Sequence, residues 1–367
     1  MQNNETQDSK SMVDQFFQKY EEIRKKMKRV NIMVIGKSGV GKSTLINSIF
    51  REEIATTGVG KPVTAHLHKY EKENVPLAIY DSQGLELDEA TQQKVLDEIR
   101  QEIQNRLKEG KEENYIHVLW YCILANSNRI ENAEIQWIKK WSELLPVIIV
   151  LTQCLNQDKD KDEFYKSIDK QKLPIHGIQK TLANPFPTQL GNIDSHGLIE
   201  LIRLTKTVLP ESVKRAFINA QRVDIESKVE EAQKYAKIYI AGAFGAGFTP
   251  LPFADAAILV PGQITLITHI TFIFGVSVDK AVITALISSV GGVGLAASIG
   301  YFAANLLKLI PGVGTITGGL INGTVAATVT KGLADAYIYV MKEVAESELK
   351  GKKLTDEDIT RRFKDQF

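Results

Sequence analysis

One segment near the N-terminus carries the residue types that hold phosphate groups. It follows the short apolar run Val30–Ile35 and precedes an apolar helical pattern. Its residues are Gly36-Lys37-Ser38-Gly39-Val40-Gly41-Lys42-Ser43-Thr44. A glycine-rich loop between a strand and a helix lets backbone N–H groups surround a β-phosphate, and the helix N-terminus adds positive potential. We expect the Lys42 ammonium to bridge β- and γ-phosphate oxygens and the Ser43 hydroxyl to bind Mg²⁺.

Two further segments supply groups that a nucleoside triphosphate and its metal ion need. Thr64 ends the segment 58–64 just before a strand-like run, so its hydroxyl is placed to reach Mg²⁺ and the γ-phosphate. The alternative is an ordinary threonine in a surface turn. Asp81 ends an apolar strand, and Gln83 and Gly84 follow it. We expect Asp81 to hold Mg²⁺ through water and the Gly84 N–H to contact the γ-phosphate. The candidate catalytic residues are Lys42, Thr64, Gln83 and Gly84.

The elements around these segments alternate between strand-like and helix-like patterns. Such alternation predicts a largely parallel sheet covered by helices. The predicted strands are 30–35, 66–70, 77–80, 116–124, 147–151 and 175–178. The predicted helices are an amphipathic one at 12–28, then 88–107, 131–145 and 195–208, and a long charged connector at 211–237.

Composition excludes several classes of protein. The chain has 367 residues, and its 45 Lys+Arg nearly balance its 44 Asp+Glu, so bulk charge gives no support for direct nucleic-acid binding. Its two cysteines, Cys122 and Cys154, cannot form a disulfide scaffold or a four-thiolate zinc site. The polar N-terminus carries no secretory signal, so we expect a cytoplasmic protein.

The phosphate-binding loop, the Gly-Lys-Pro-Val-Thr form of segment 60–64 and the Asp81–Gly84 motif together resemble the Ras-like GTPase superfamily, and specifically its Era-like branch. The resemblance covers about residues 29–209. It implies an α/β fold with a mixed, mostly parallel sheet and helices on both faces. It also implies that GTP and GDP are the ligands, that Mg²⁺ is the cofactor and that the two nucleotide states differ in conformation.

The base-reading motif departs from that family. These GTPases follow the fifth strand with Asn/Thr-Lys-x-Asp, whose carboxylate accepts hydrogen bonds from guanine. The chain has Thr152-Gln153-Cys154-Leu155 at this point, so the aspartate is missing. Asp158 could replace it only if the loop bends differently. We assign Thr152 and Gln153, with Thr181 in the last base-contacting loop, as candidate base-side residues. A site without its acceptor should discriminate bases less sharply.

Catalysis shows a second departure. Ras-like enzymes with an in-built water-positioning glutamine carry it directly after this motif, and Leu85 stands there. Gly39 occupies the place where potassium-activated relatives carry asparagine. We therefore expect slow hydrolysis, raised by a partner, by a homodimer or by an arginine in trans, an effect worth roughly 10³–10⁵-fold. Arg129 is a candidate for such an arginine, and a salt-bridged surface residue is the alternative.

The C-terminal third has a different character. Residues 238–342 contain four lysines, three aspartates and 15 of the 26 glycines. The uncharged stretches 256–278, 281–307 and 309–330 are each long enough to cross a hydrocarbon core about 30 Å thick. Yet they contain internal glycines and polar residues such as Gln263 and His269. This region resembles a helical domain that follows bacterial GTPase domains and is often membrane-associated. The alternative is a soluble bundle with an unusually apolar core.

We therefore predict four parts. They are an N-terminal helix at 1–28, an Era-like GTPase domain at 29–209, a connector helix at 210–237 and an all-α domain at 238–367. The leading hypothesis is a slow GTPase whose nucleotide state controls a helical domain that self-associates or contacts a membrane through 238–342. The alternative is a nucleotide-gated scaffold or assembly factor with little intrinsic hydrolysis.

Overall fold

The computed structural model describes residues 2–51, 61–64, 66–82, 89–189, 191–246, 255–276, 283 and 323–366. Gln83, Gly84 and Leu85 lie outside the described residues, as does most of the apolar region 277–322. The chain forms two compact units. Residues 27–224 form one, which we call the α/β unit, and residues 1–26 with 225–367 form the other, the helical unit.

Nine strands and eleven helices lie within the described residues. The strands are β1 (Val30–Ile35), β2 (Lys61–Pro62), β3 (Leu67–Glu71), β4 (Leu77–Ser82), β5 (Val118–Leu124), β6 (Val147–Thr152), β7 (Gly177–Lys180), β8 (Phe186–Thr188) and β9 (Gly191–Ile193). The helices are α1 (Gln2–Lys26), α2 (Lys42–Ile49), α3 (Glu89–Lys108), α4 (Asn132–Ser142), α5 (Glu163–Asp169), α6 (Leu198–Val208), α7 (Glu211–Ala220), α8 (Ile225–Ala246), α9 (Asp255–Phe274), α10 (Gly323–Leu349) and α11 (Asp356–Lys364).

The α/β unit is built on a seven-stranded sheet in the order β2-β3-β4-β1-β5-β6-β7. Strands β4, β1, β5, β6 and β7 run parallel, while β2, β3 and β4 pair antiparallel. This arrangement confirms the predicted mixed, mostly parallel sheet. Val34 pairs with Asp81 on one side and with Trp120 on the other, so the carboxyl ends of β1, β4 and β5 meet at one edge. Ligands of open α/β sheets bind at such an edge.

Both faces of the sheet are covered, as the continuous apolar runs predict. Met33 and Ile35 join one buried cluster, which also contains Tyr121 and Trp141. Ile32 and Val34 point to the other face and join a cluster with Trp120. Because side chains alternate along a strand, every residue of β1 is buried. The two clusters therefore hold β1 and the loop that follows it from both sides.

The predicted connector helix at 210–237 is wrong as a single helix. Two helices occupy this stretch, α7 and α8, with a buried turn between them. The Gln221 side chain fixes the turn, because its Nε2 donates to Asp224 O at 2.9 Å and its Oε1 accepts from Asp224 N at 2.8 Å. Phe217 of α7 is fully buried in the cluster around Trp120, so α7 belongs to the α/β unit.

The helical unit contains the N-terminal helix as well as the C-terminal ones. Tyr20 of α1 packs against Phe272 of α9, with ring centroids 5.7 Å apart. Lys228 of α8 is buried and donates to Ile273 O at 3.3 Å. The Tyr337 hydroxyl of α10 lies 2.7 Å from Thr271 Oγ1. Within the part of the chain that the structure describes, no helix combines the length and apolar character needed to span a membrane.

A buried hydrogen bond between β5 and α6 offers a test of the packing. Trp120 Nε1 donates to Thr205 Oγ1 at 3.0 Å, and both residues are fully buried. Thr205→Val leaves this N–H without an acceptor, so we expect the free energy of unfolding to fall by about 1–3 kcal/mol. Urea denaturation followed by tryptophan fluorescence reports on the α/β unit alone, because all three tryptophans lie in it.

Thr207→Val is the matched control for this substitution. Thr207 lies on the same helix, is exposed and donates to Leu204 O within its own helix. We expect its denaturation midpoint to stay close to that of the unmodified protein. Equal midpoints for the two variants would contradict the role given to the Trp120–Thr205 hydrogen bond.

Candidate functional site

The loop 36–41 leaves β1 through a space that only glycine fits. Gly36 has a φ of 157°, and a Cβ built on it would lie 2.4 Å from Cys122 O of β5. Gly41 caps the N-terminus of α2 with a φ of 96°, a left-handed conformation that glycine adopts without steric strain. The loop is thereby pressed against the sheet edge, and α2 begins directly behind it. This strand, loop and helix geometry is that of a phosphate-binding loop.

Lys42, the predicted phosphate-binding lysine, lies over the loop. Its Nζ donates to Gly36 O at 2.9 Å and to Lys37 O at 3.3 Å, so the ammonium folds back over the loop. It also lies 3.9 Å from Asp81 Oδ1 at the end of β4. The two side chains are 11% and 15% exposed. The structure thus brings the predicted phosphate-binding lysine, at the start of α2, close to the predicted metal-binding aspartate, at the end of β4.

Asp81 has the features of a metal-binding carboxylate. Burial raises its pKa to about 6, although Lys42 and His68 pull in the opposite direction. Its Oδ1 is buried and has no hydrogen-bond partner among the described residues. An uncompensated buried carboxylate oxygen is costly unless a cation or a proton joins it. With the exposed Ser43 hydroxyl in the first turn of α2, these oxygens fit Mg²⁺, which prefers hard oxygen ligands.

The remaining loop residues are divided between the core and the surface. The Val40 side chain packs in the buried cluster around Trp120, whereas Ser38 and Thr44 are exposed. Lys37 turns to Glu131 and pairs with its Oε1 at 2.7 Å. That hydrogen bond, with Arg129 nearby, holds the pKa of Glu131 below its ordinary value. Lys37 and Arg129 therefore share one acidic neighbour at the start of α4.

Thr64 is engaged by helix α3. Its Oγ1 accepts from His66 N at 3.3 Å. Burial acts to raise the pKa of Glu98, but hydrogen bonds from Thr64 and His66 outweigh it and hold this pKa below its ordinary value. The His66 Nδ1 lies 3.3 Å from both Glu98 carboxylate oxygens. The Thr64 hydroxyl therefore lies close enough to Glu98 to lower the pKa of its carboxyl, and contact with a metal ion would draw the hydroxyl away from this carboxylate.

Thr152 and Gln153 contact the phosphate-binding loop. Thr152 Oγ1 donates to Val40 O at 2.6 Å and lies 3.2 Å from Ile123 O. Gln153 has a φ of 51°, and its Nε2 donates to Gly39 O at 3.4 Å. Thr181 is buried, and its Oγ1 donates to Leu151 O at 3.3 Å. These three residues thus connect the loops of the site to one another through their polar groups.

A cavity of about 310 Å³ adjoins the loop. Its walls are the start of α2, the segment 152–155 after β6 and the segment 181–186 after β7, with Asn126 from the end of β5. Cys154 N donates to Thr181 O at 3.0 Å, which joins the two segments. A nucleotide whose phosphates occupy the loop would extend its base toward this cavity.

Asp158 does not enter the cavity, so it does not replace the missing aspartate in this conformation. Lys180 is 2% exposed and pairs with Asp162 at 2.8 Å. Its Nζ also donates to Asp158 O at 3.0 Å. The Asp158 carboxylate accepts from Asp160 N at 2.9 Å and lies 3.5 Å from Lys161 Nζ. The sequence analysis did not predict the role of Lys180. Its partners lie about twenty residues earlier in the chain, so no local sequence pattern indicates these contacts.

A family model described as "50S ribosome-binding GTPase" matches residues 31–153. The matched stretch begins in β1 and ends at Gln153, and it contains the phosphate-binding loop, Thr64 and Asp81. The α/β unit is a P-loop GTPase domain. The matched stretch thus lies within the α/β unit, while the helical unit lies outside the match.

Septins are among the relatives of the chain. It is 24% identical over 162 residues to cell division control protein 10 of Candida albicans, covering 38% of this chain and 45% of that protein. It is 26% identical to rat septin-9, covering 42% of this chain and 32% of that protein. It is 23% identical to septin-8 of Xenopus tropicalis, covering 56% of this chain and 50% of that protein. The chain spans about half the length, or less, of the curated relatives it matches.

Solved septin structures are also similar. The septin GTPase domain of Chlamydomonas reinhardtii is 13% identical to this chain. The match covers 46% of this chain and 85% of that chain, with a TM-score of 0.32. Cdc11 of Saccharomyces cerevisiae is 22% identical, covering 40% of this chain and 65% of that chain, with a TM-score of 0.28.

Asp81→Asn separates the stability cost of the site from its function. The carboxyl has a folded pKa of about 6 against 3.8 when unfolded, so the native state loses stability as pH rises from about 4 to about 6. At pH 8 we expect the asparagine variant to be more stable by about 1–3 kcal/mol. We also expect it to lose the Mg²⁺-dependent part of nucleotide affinity. Denaturation and calorimetry with and without Mg²⁺ measure both effects, and a less stable variant would contradict the burial argument.

Glu98→Ala tests the bond that holds Thr64. Without the carboxylate, the Thr64 hydroxyl no longer has to leave a partner in order to reach Mg²⁺, so binding of a non-hydrolysable GTP analogue should strengthen by about 2–10-fold relative to GDP. Asp97→Ala, on an exposed neighbouring position of α3, is the matched control and should leave this ratio unchanged. An unchanged ratio in Glu98→Ala would show that Thr64 is not a sensor of the γ-phosphate.

Proposed function

We propose that this chain is a GTP-binding, Mg²⁺-dependent switch protein that acts as a nucleotide-gated scaffold with little intrinsic hydrolysis. The observation that carries the proposal is the position of Lys42 on the phosphate-binding loop, 3.9 Å from the buried and unpartnered Asp81 oxygen. A site of this kind suits a triphosphate, whose oxygens would contact Lys42, and a divalent cation, which would contact Asp81.

The roles of the residues follow from their positions. The loop N–H groups and Lys42 bind the β- and γ-phosphates. Ser43, Thr64 and Asp81 would hold Mg²⁺, which would supply positive charge against the phosphates. Thr64 would report the γ-phosphate, because its hydroxyl, which now lies near Glu98, would turn toward a metal ion bound with the triphosphate. The segment around Thr64 then differs in position between the GTP and GDP states.

Slow hydrolysis and assembly are favoured over rapid turnover. Leu85 stands where related enzymes carry a water-positioning glutamine, and it has no polar group to orient water. The similarity to septins favours a septin-type GTPase over the Era-like branch. It thereby also favours the scaffold or assembly function over that of an enzyme with rapid turnover. The helical unit is the part we propose the nucleotide state to control.

Contact with a membrane through 238–342 is the second candidate function. The composition of this region favours it, because only seven of its 105 residues are charged. Both functions are consistent with a cytoplasmic protein, and they differ in whether the region 238–342 contacts lipid or a second copy of the chain. Flotation with liposomes of neutral and of acidic lipid, in each nucleotide state, separates them.

The scaffold function predicts that molar mass depends on the nucleotide. With Mg²⁺ and a non-hydrolysable GTP analogue, light scattering after size exclusion should give at least twice the molar mass found with GDP. Lys42→Ala removes the phosphate contact, so we expect it to weaken nucleotide binding by more than about 100-fold and to abolish the difference in mass. The same mass in all nucleotide states, with binding intact, would contradict the scaffold function.

A further inference from the structure

The cavity beside the phosphate-binding loop contains no charged side chain among the described residues that line it. Leu155 lines it at the position where the family pattern has its carboxylate. The side chain is half-buried, so it can contact a bound base. A carboxylate there would accept hydrogen bonds from the N1–H and the 2-amino group of guanine. A leucine methyl group can accept neither.

No neighbouring carboxylate can take over this function without breaking contacts. Asp158 is held outside the cavity at both its backbone and its side chain, through Lys180 Nζ and Asp160 N. Asp162 is bound to Lys180 and also accepts from Tyr165 N at the start of α5. Because Lys180 is buried, turning Asp162 into the cavity would leave the lysine ammonium group uncompensated. Turning Asp158 inward would break the contacts of its carboxylate with Asp160 N and Lys161.

The groups that remain in the cavity suit other parts of a purine. Asn184 accepts from Ser48 Oγ through its Oδ1 at 3.2 Å, so its Nδ2 is the group that remains to donate. A donor matches the keto oxygen at position 6, which guanine and hypoxanthine share. Phe186 lines the cavity with 45% of its surface exposed, and an aromatic ring stacks on any purine. Neither group distinguishes a base with a 2-amino group from one without it.

We propose that Leu155 is the specificity-determining residue of this cavity and that it makes the site insensitive to the 2-amino group. The protein then binds 6-oxopurine nucleotides as a class, those of hypoxanthine as well as those of guanine. This inference rests on the proposed function, because it concerns the base of the nucleotide whose phosphates the loop binds. An amino group placed against Leu155 loses its water and gains no acceptor, so guanine has no advantage there.

The decisive experiment is calorimetric titration of the nucleotide-free full-length protein with GDP and with IDP, both with Mg²⁺. Diphosphates exclude turnover during the measurement. We expect the two dissociation constants to agree within about threefold, whereas a site with its carboxylate favours guanine by roughly 10–100-fold. A preference for GDP above about tenfold would overturn the inference and leave the proposed function intact. Failure to bind either nucleotide would overturn both.

Two substitutions test whether Leu155 sets the preference between GDP and IDP. Leu155→Asp restores an acceptor at a half-buried position, and we expect the preference for GDP over IDP to rise by at least about tenfold. Asp158→Asn removes the one carboxylate in the 152–158 loop and should leave the ratio unchanged. A loss of GDP affinity in Asp158→Asn, with IDP unaffected, would show that this loop bends and would overturn the role of Leu155. If Leu155→Asp does not fold, the unmodified protein and Asp158→Asn still decide the question.

Discussion

The site depends on a carboxylate that the fold keeps largely out of water. Asp81 ends a buried strand and lies 3.9 Å from Lys42, and its pKa of about 6 shows that burial outweighs the attraction of the ammonium. The folded protein thus holds a charge that it stabilises poorly, next to a cation whose hydrogen bonds go to loop carbonyls. Such an arrangement destabilises the free protein and favours a state in which a divalent cation and phosphate oxygens complete the charge balance.

The register of the sheet makes this arrangement possible. Pairing of Val34 with Asp81 places the end of β4 beside the start of the phosphate-binding loop. The contact between Gly36 and Cys122 O keeps that loop close to β5. Thr152 then ties the same loop to the end of β6 through the Val40 carbonyl. Parallel strands β1, β5 and β6 therefore fix one loop.

Sequence predicted those parts of the site that local chemistry determines. The glycines, Lys42 and the apolar run before them form one contiguous segment, and Asp81 follows a recognisable strand. The prediction of a single helix at 210–237 was wrong because the turn at 221–224 is stabilised by one glutamine side chain and by burial of Phe217. The Thr64–Glu98 and Lys180–Asp158 contacts could not be predicted either, because each joins residues that are far apart in sequence.

In the proposed function, phosphate affinity and base selectivity arise from separate structures in this domain, and this separation explains how one could change without the other. The loop, Lys42 and Asp81 are fixed by the sheet, so they retain their geometry whatever residue stands at position 155. The segment 152–158 is fixed by Thr152 at one end and by Lys180 at the other, and neither anchor involves Leu155. Loss of an acceptor at that position therefore costs no packing and no phosphate contact. A partner that recognises such a GTPase through the segment around Thr64 would distinguish triphosphate from diphosphate. The identity of the base would not affect this recognition, so weak discrimination of the base could be tolerated.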